Sequence, residues 1–153
     1  MKKFIITLMF TMFGTMAFAF TPINLHYDIA LEKLKQGNYR FANYEMKHPN
    51  IDKNRRTKML NGQKPFAIVV ACSDSRIVPE IIFDQGLGDL FVIRNAGDVL
   101  DEHVLESIEY AVHHLGVNLV VILGHQSCSA VGEAMKKNQN TSELITTKCS
   151  ILP

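Results

Sequence analysis

Residues 66–72, FAIVVAC, form a continuous apolar run that follows Pro65 and is too short for a helix of ordinary length. Such a run fits a strand buried on both faces, and a strand of that kind demands cover above and below it. DLFVIRNAG and NLVVILGH repeat the pattern further along, each closing in Gly or polar residues. Between those two lies DEHVLESIEYAVHHLG, where Val104, Ile108, Ala111, Val112 and Leu115 form a helical stripe, with Asp101 at its start and Gly116 at its end as caps. Strands alternating with helices require crossover connections, so the predicted class is α/β: a central, mostly parallel sheet flanked by helices. Upstream, DIALEKLK predicts a helix with Ile29, Ala30 and Leu34 on one face and Gly37 as its C-terminal cap. HPNIDKNRRTKMLNGQKP predicts a polar loop around a short basic helix, with Arg55 and Arg56 on a solvated charged face.

A chain of 153 residues, 47% hydrophobic and 20% charged, with a net charge of +1, fits one globular domain and gives no electrostatic reason to bind nucleic acid or an anionic membrane. One segment stands apart. Lys2 and Lys3 precede an uncharged apolar run that closes on Ala17-Phe18-Ala19, the pattern of a secretory signal peptide, residues 1–19, cut after Ala19. The alternative is an uncleaved anchor, for which the run is marginal against the ~20 residues a span needs. Residues 20–153 are then expected to be a single exported domain, periplasmic or secreted. Cys72, Cys128 and Cys149 are odd in number. In an oxidising compartment that calls for metal ligation or for a Cys72–Cys128 disulfide.

Ligands of open α/β sheets bind beyond the carboxyl ends of the strands, which is where CSDSR and HQSC fall. The H-x-x-C spacing lets a turn at the start of a helix aim His125 and Cys128 at one point, and Cys72 would arrive from the neighbouring strand end. Two thiolates and an imidazole suit Zn²⁺ and leave a fourth tetrahedral position. Asp74 can fill that position or leave it, and Arg76 offers a bidentate fork to hold it away. On spacing alone, an inert buried Cys72 and a chance H-x-x-C remain open.

ACSDSR and GHQSC, with DQGLGDLFVIRNAG and SIEYAVHHLGVNLVVILGH between them, closely resemble the β-class carbonic anhydrases from about Asp28 to about Met135. The resemblance implies that Cys72, His125 and Cys128 bind zinc and that Asp74 and Arg76 are the catalytic Asp–Arg pair. It implies Gln63 as a substrate-holding amide and Phe91, Ala96 and Tyr110 as apolar walls, some supplied by a neighbouring subunit of a dimer or higher oligomer. Without the resemblance, core packing explains Phe91 and Tyr110 equally well. The implied activity is reversible hydration of carbon dioxide to bicarbonate and a proton by zinc-bound hydroxide. Relatives acting on CS₂ share these ligands. Two departures stand out. Ser129 replaces the family's usual Gly beside the substrate, and the chain stops soon after AMKKNQNTSELITTKCSILP, where members continue through more helix and at least one strand. The expectation is a C-terminally truncated fold whose alternative is a non-catalytic zinc-binding remnant. A thiol redox protein using Cys72 and Cys128 is a further rival, weakened because C-x-x-C is lacking. His103, His113 and His114 are expected to be exposed helix residues rather than a proton relay.

Overall fold

The computed structural model of the chain describes residues 26–136; the signal segment and Cys149 lie outside them. Its elements run α1 (Tyr27–Ala42), α2 (Lys53–Met59), β1 (Ala67–Cys72), α3 (Pro79–Ile82), β2 (Leu90–Asn95), α4 (Glu102–Leu115), β3 (Val120–Leu123) and α5 (Ser129–Met135). The three strands form one parallel sheet in the order β2-β1-β3, with Ala67 beside Leu90, Cys72 beside Asn95 and Ile68 beside Val120. The α/β class is as expected. β1 is central, and all six of its residues are buried.

Alternation along β1 divides the core into two layers. Ala67, Val69 and Ala71 pack with Ala30 and Leu34 of α1 and with Phe66, Phe83 and Leu90. Ile68 points the other way, onto Ala111 and Val117, with Phe91, Ile93, Ile108 and Leu115 around them. The sheet is therefore sandwiched, as an apolar strand without a polar face requires. β2 and β3 are less enclosed than their sequences suggest, because among the described residues each is an outer strand. On β3, Val120 and Ile122 are 42% and 55% exposed.

Two expectations about α1 are corrected. Ile29 is 57% exposed, so Ala30, Leu34 and Gly37 carry the buried face. Gly37 is no cap: the helix continues to Ala42, and a Cβ at Gly37 would stand 1.7 Å from the Phe83 carbonyl oxygen. The glycine is there because α1 crosses the chain after α3 at backbone contact distance. The α4 caps are as expected. The Asp101 carboxylate accepts from Val104 N–H at 3.0 Å, and Gly116 adopts φ 72°.

Buried carboxylates fasten the loops to this frame. Asp84 accepts from Arg40 Nε at 2.6 Å, from Lys47 N–H at 3.0 Å and from His48 N–H at 2.9 Å. Asp89 accepts from Asn50 Nδ2, Gly86 N–H and Arg55 Nη2. Arg55 is thus a structural ion-pair partner rather than part of a solvated face; Arg56 is exposed as expected.

Candidate metal centre

Cys72 is the last residue of β1, and the 124–128 turn leaves β3 beside it. Parallel neighbours end on the same side, so the two thiols and the imidazole meet there although a long stretch of chain separates them. The candidate ligand atoms of Cys72, His125 and Cys128 all lie within 4.8 Å of one another, a span that one ion can bridge. The two sulfurs are 3.9 Å apart and both cysteines are free. His125 Nδ1 sits 3.0 Å from the Gln126 carbonyl, while the buried Nε2 has no hydrogen-bond partner. A ring held through one nitrogen with the other left bare beside two thiols has the form of a ligating histidine. The donor set is one that Zn²⁺ fits.

Electrostatics favour a thiolate at Cys72. Burial alone would push its thiol up. The Gly97 N–H, the His125 ring, the Asp74 N–H and the Cys128 thiol outweigh burial and hold it below the usual thiol range. The two amides approach Sγ at 3.4 Å each. Interaction with the Cys72 sulfur pushes the His125 ring above the ordinary imidazole range, against the opposing effect of burial.

Asp74 and Arg76 form the fork expected of them. Arg76 Nε and Nη2 donate to Asp74 Oδ1 and Oδ2 at 2.9 and 2.7 Å, and the Arg76 N–H adds a third bond at 3.0 Å. These bonds hold the Asp74 carboxyl well below the usual carboxylate range. Arg76 Nη2 also reaches the Ser127 carbonyl at 3.3 Å, so one guanidinium touches both loops of the site.

The remaining expected residues lie further out. Gln63 is exposed in the loop entering β1, Ala96 is exposed just after β2, and Ser129 opens α5. Phe91 is half-buried against the α4 layer, and its ring centroid is 6.2 Å from that of Tyr110, which is itself 48% exposed. His103, His113 and His114 are exposed, and the His114 ring lies 5.1 Å from Tyr110.

Four neighbours of the site escape sequence reasoning. Arg94 donates to the carbonyls of Cys72 and Asp74, Asn95 brackets Val99, Gly97 donates to Cys72, and Asp98 abuts the His125 turn. Asp98 Oδ1 is buried without a hydrogen-bond partner, and burial pushes that carboxyl up, partly offset by His125. Only the string RNAGD, where a strand gives way to Gly, hinted that the β2 end belongs to the site.

A parallel sheet with a Cys–His–Cys cluster and an Asp–Arg pair at its carboxyl end defines an α/β protein with a cluster that could hold a metal ion. Comparison with known proteins narrows this further. The carbonic anhydrase family model matches residues 67–151. Carbonic anhydrase 2 of Mycobacterium tuberculosis is 53% identical over 106 residues, covering 69% of this chain and 51% of that protein. Among solved structures, the Coccomyxa β-carbonic anhydrase in complex with acetazolamide superposes with a TM-score of 0.59 at 26% identity, over 78% of this chain and 54% of that one. One from Sordaria macrospora, described as one of two tetrameric β-carbonic anhydrases, gives 0.57 at 27% identity, over 82% and 60%. The chain belongs to the carbonic anhydrase family, in its β class. It spans about half the length of the curated relatives it matches.

Proposed function

We propose that the protein is a zinc-dependent carbonic anhydrase that interconverts carbon dioxide and bicarbonate, with Cys72, His125 and Cys128 as zinc ligands and Asp74 and Arg76 as its gate. The convergence of two sulfurs and a ring nitrogen within 4.8 Å, beside a forked Asp–Arg pair, carries this reading. Bound there, Zn²⁺ supplies Lewis acidity that makes water a nucleophile near neutral pH. The protein's own groups do the rest. Amides of Asp74 and Gly97 steady the Cys72 thiolate, and the Arg76 fork keeps Asp74 ionised and would hold it off a metal bound by the three ligands. Gln63, Ala96, Phe91, Tyr110 and Ser129 are the proposed substrate surroundings, in which an uncharged substrate needs shape and a single polar contact more than charge. Two thiolates cancel the formal charge of Zn²⁺, so activity should rise towards alkaline pH; a flat profile between about pH 6.5 and 9 would argue against it.

A homodimer or higher assembly is part of the proposal. Leu105, Tyr110 and Val112 of α4 and Val120 and Ile122 of β3 present exposed apolar side chains, more than a solitary subunit gains from. Export rests on residues 1–19, and no helix among the described residues is long and apolar enough to cross a membrane. The test combines zinc stoichiometry with stopped-flow carbon dioxide hydration on the full chain. One zinc per chain with turnover, both lost in Cys72→Ser, is expected. Zinc without turnover would leave a metal-binding remnant, and no zinc would end the reading.

A further inference from the structure

Arg94 is the fifth residue of β2 and is exposed, so it fills no part of the core. Its guanidinium is nonetheless fully directed. Nε donates to the Cys72 carbonyl at 3.0 Å, and Nη2 donates to the Asp74 carbonyl at 2.8 Å. The acceptors are the last residue of β1 and a residue of the turn that follows it, and they bear one proposed ligand and the proposed gate. The β1–β2 pairing ends at Cys72 and Asn95, and one more bond, from Ser73 N–H to the Asn95 carbonyl at 2.8 Å, closes the ladder. Past that bond the sheet no longer dictates the path of the chain.

We propose that Arg94 is the positioning residue of the metal centre: its two-point fork on the Cys72 and Asp74 carbonyls sets the turn from which both side chains depart. The proposal rests on the reading of Cys72, His125 and Cys128 as metal ligands. A planar guanidinium spanning two carbonyls two residues apart fixes the orientation of both peptide planes, which a single-point ammonium does not. The turn so fixed is the one that brings the Asp74 N–H to Cys72 Sγ at 3.4 Å. Asn95 braces the opposite side. Its Oδ1 accepts from Val99 N–H at 2.8 Å and its Nδ2 donates to the Val99 carbonyl at 2.6 Å, shaping the loop whose Gly97 N–H reaches the same sulfur. Two successive β2 residues thus hold Cys72 from two sides, and Arg94 alone also holds Asp74.

The experiment uses the full chain as wild type, Arg94→Ala, Arg94→Lys and Arg94→Gln, with Arg56→Ala as an exposed control. Zinc affinity is measured by competition with a chromophoric chelator, and amide exchange is followed in the metal-free proteins. Loss of a group that orients a ligand should weaken zinc binding by about ten- to a hundredfold in Arg94→Ala, with Lys recovering little of it and Arg56→Ala unchanged. Exchange should quicken at Asp74 while the β1 amide of Val69 stays protected. Wild-type zinc affinity in Arg94→Ala, even with a lowered melting temperature, would overturn the proposal, as would unchanged exchange at Asp74. Failure of all three variants to fold would also overturn it, by making Arg94 a folding residue. If wild type itself binds no zinc, the ligand reading falls, and exchange at Asp74 alone decides whether Arg94 holds this loop.

Discussion

Replacing Asp84 with Asn probes whether buried charge fastens α1 and the residue 47–48 turn to the end of α3. The Asp84 side chain is 0% exposed and its Arg40 partner only 20%. Asn keeps the shape but offers one accepting oxygen. Its amide nitrogen must face either the Arg40 guanidinium or the N–H groups of Lys47 and His48, donor against donor, and Arg40 loses its counter-charge. Breaking one side of a buried ion pair costs about 3–5 kcal/mol, and the residual exposure of Arg40 lowers the expectation to about 2–4 kcal/mol. Urea unfolding followed by circular dichroism measures it, with an unchanged m-value showing that the denatured state is the same. A cycle with Arg40→Met should give a coupling of about 1.5–3 kcal/mol. The acid limb offers a second check. Burial alone would push the Asp84 carboxyl up, but Lys47 N–H, Arg40 and His48 N–H outweigh it and leave it below the usual carboxylate range. A depressed folded value means the stabilisation is present above the unfolded pKa of about 3.9 and is lost as pH falls through the folded one. The gap between wild type and Asp84→Asn should therefore narrow in acid. A loss under about 1 kcal/mol at neutral pH, with no coupling to Arg40, would refute the reasoning.

If the proposed gate operates, Arg76→Ala should retain zinc yet lower kcat/KM on the order of tenfold to a hundredfold, because Asp74 loses its two-point fork; near-normal turnover in a zinc-loaded variant would exclude the gate. Zinc affinity should fall as pH is lowered from 8 towards 6, since the metal competes with protons on His125, whose ring is held above the ordinary imidazole range; a chelator competition series that shows no slope contradicts the ligand assignment. Gly37→Ala should cost about 1–3 kcal/mol in chemical denaturation, because the new methyl meets the Phe83 carbonyl and α1 must shift away; a stabilised variant, as helix propensity alone would give, contradicts the close crossing.

The parts of this protein that sequence discloses are those governed by local rules. β1 shows itself as an unbroken apolar run because it is covered on both faces, and α4 shows both caps and most of its stripe, of which Val104, Ile108, Ala111 and Leu115 turn inward while Val112, at the edge of that face, is 38% exposed. The convergence of Cys72, His125 and Cys128 was legible because strand ends of a parallel sheet collect on one side. What escaped depends on partners distant in the chain. Gly37 looks like a cap until Phe83 is known to pass against it, and Arg55 looks solvated until Asp89 is placed beside it. α3, four residues opened by Pro79, is too short to have a period at all. Arg94 lies in the strand register, where its sequence neighbours predict only an exposed position; its role is defined by two carbonyls on another strand.

The two halves of the centre are not supported equally. Cys72 ends a strand buried along its whole length and gripped by neighbours on both edges, so the core holds its backbone without help from any metal. His125 and Cys128 follow a four-residue strand whose alternate residues are exposed and which pairs, among the described residues, along one edge only. The three candidate ligand atoms already lie within 4.8 Å of one another, so the less supported β3 side, with the 124–128 turn, is where their spacing has fewer packing contacts to maintain it. Arg76 already spans that divide, with its fork on Asp74 and a bond to the Ser127 carbonyl. Through that cross-link the residue of the proposed gate also ties together the two loops that carry the proposed ligands. It also separates the labour of the two arginines: Arg94 fixes the β1 side of the centre, and Arg76 ties the β3 side to it.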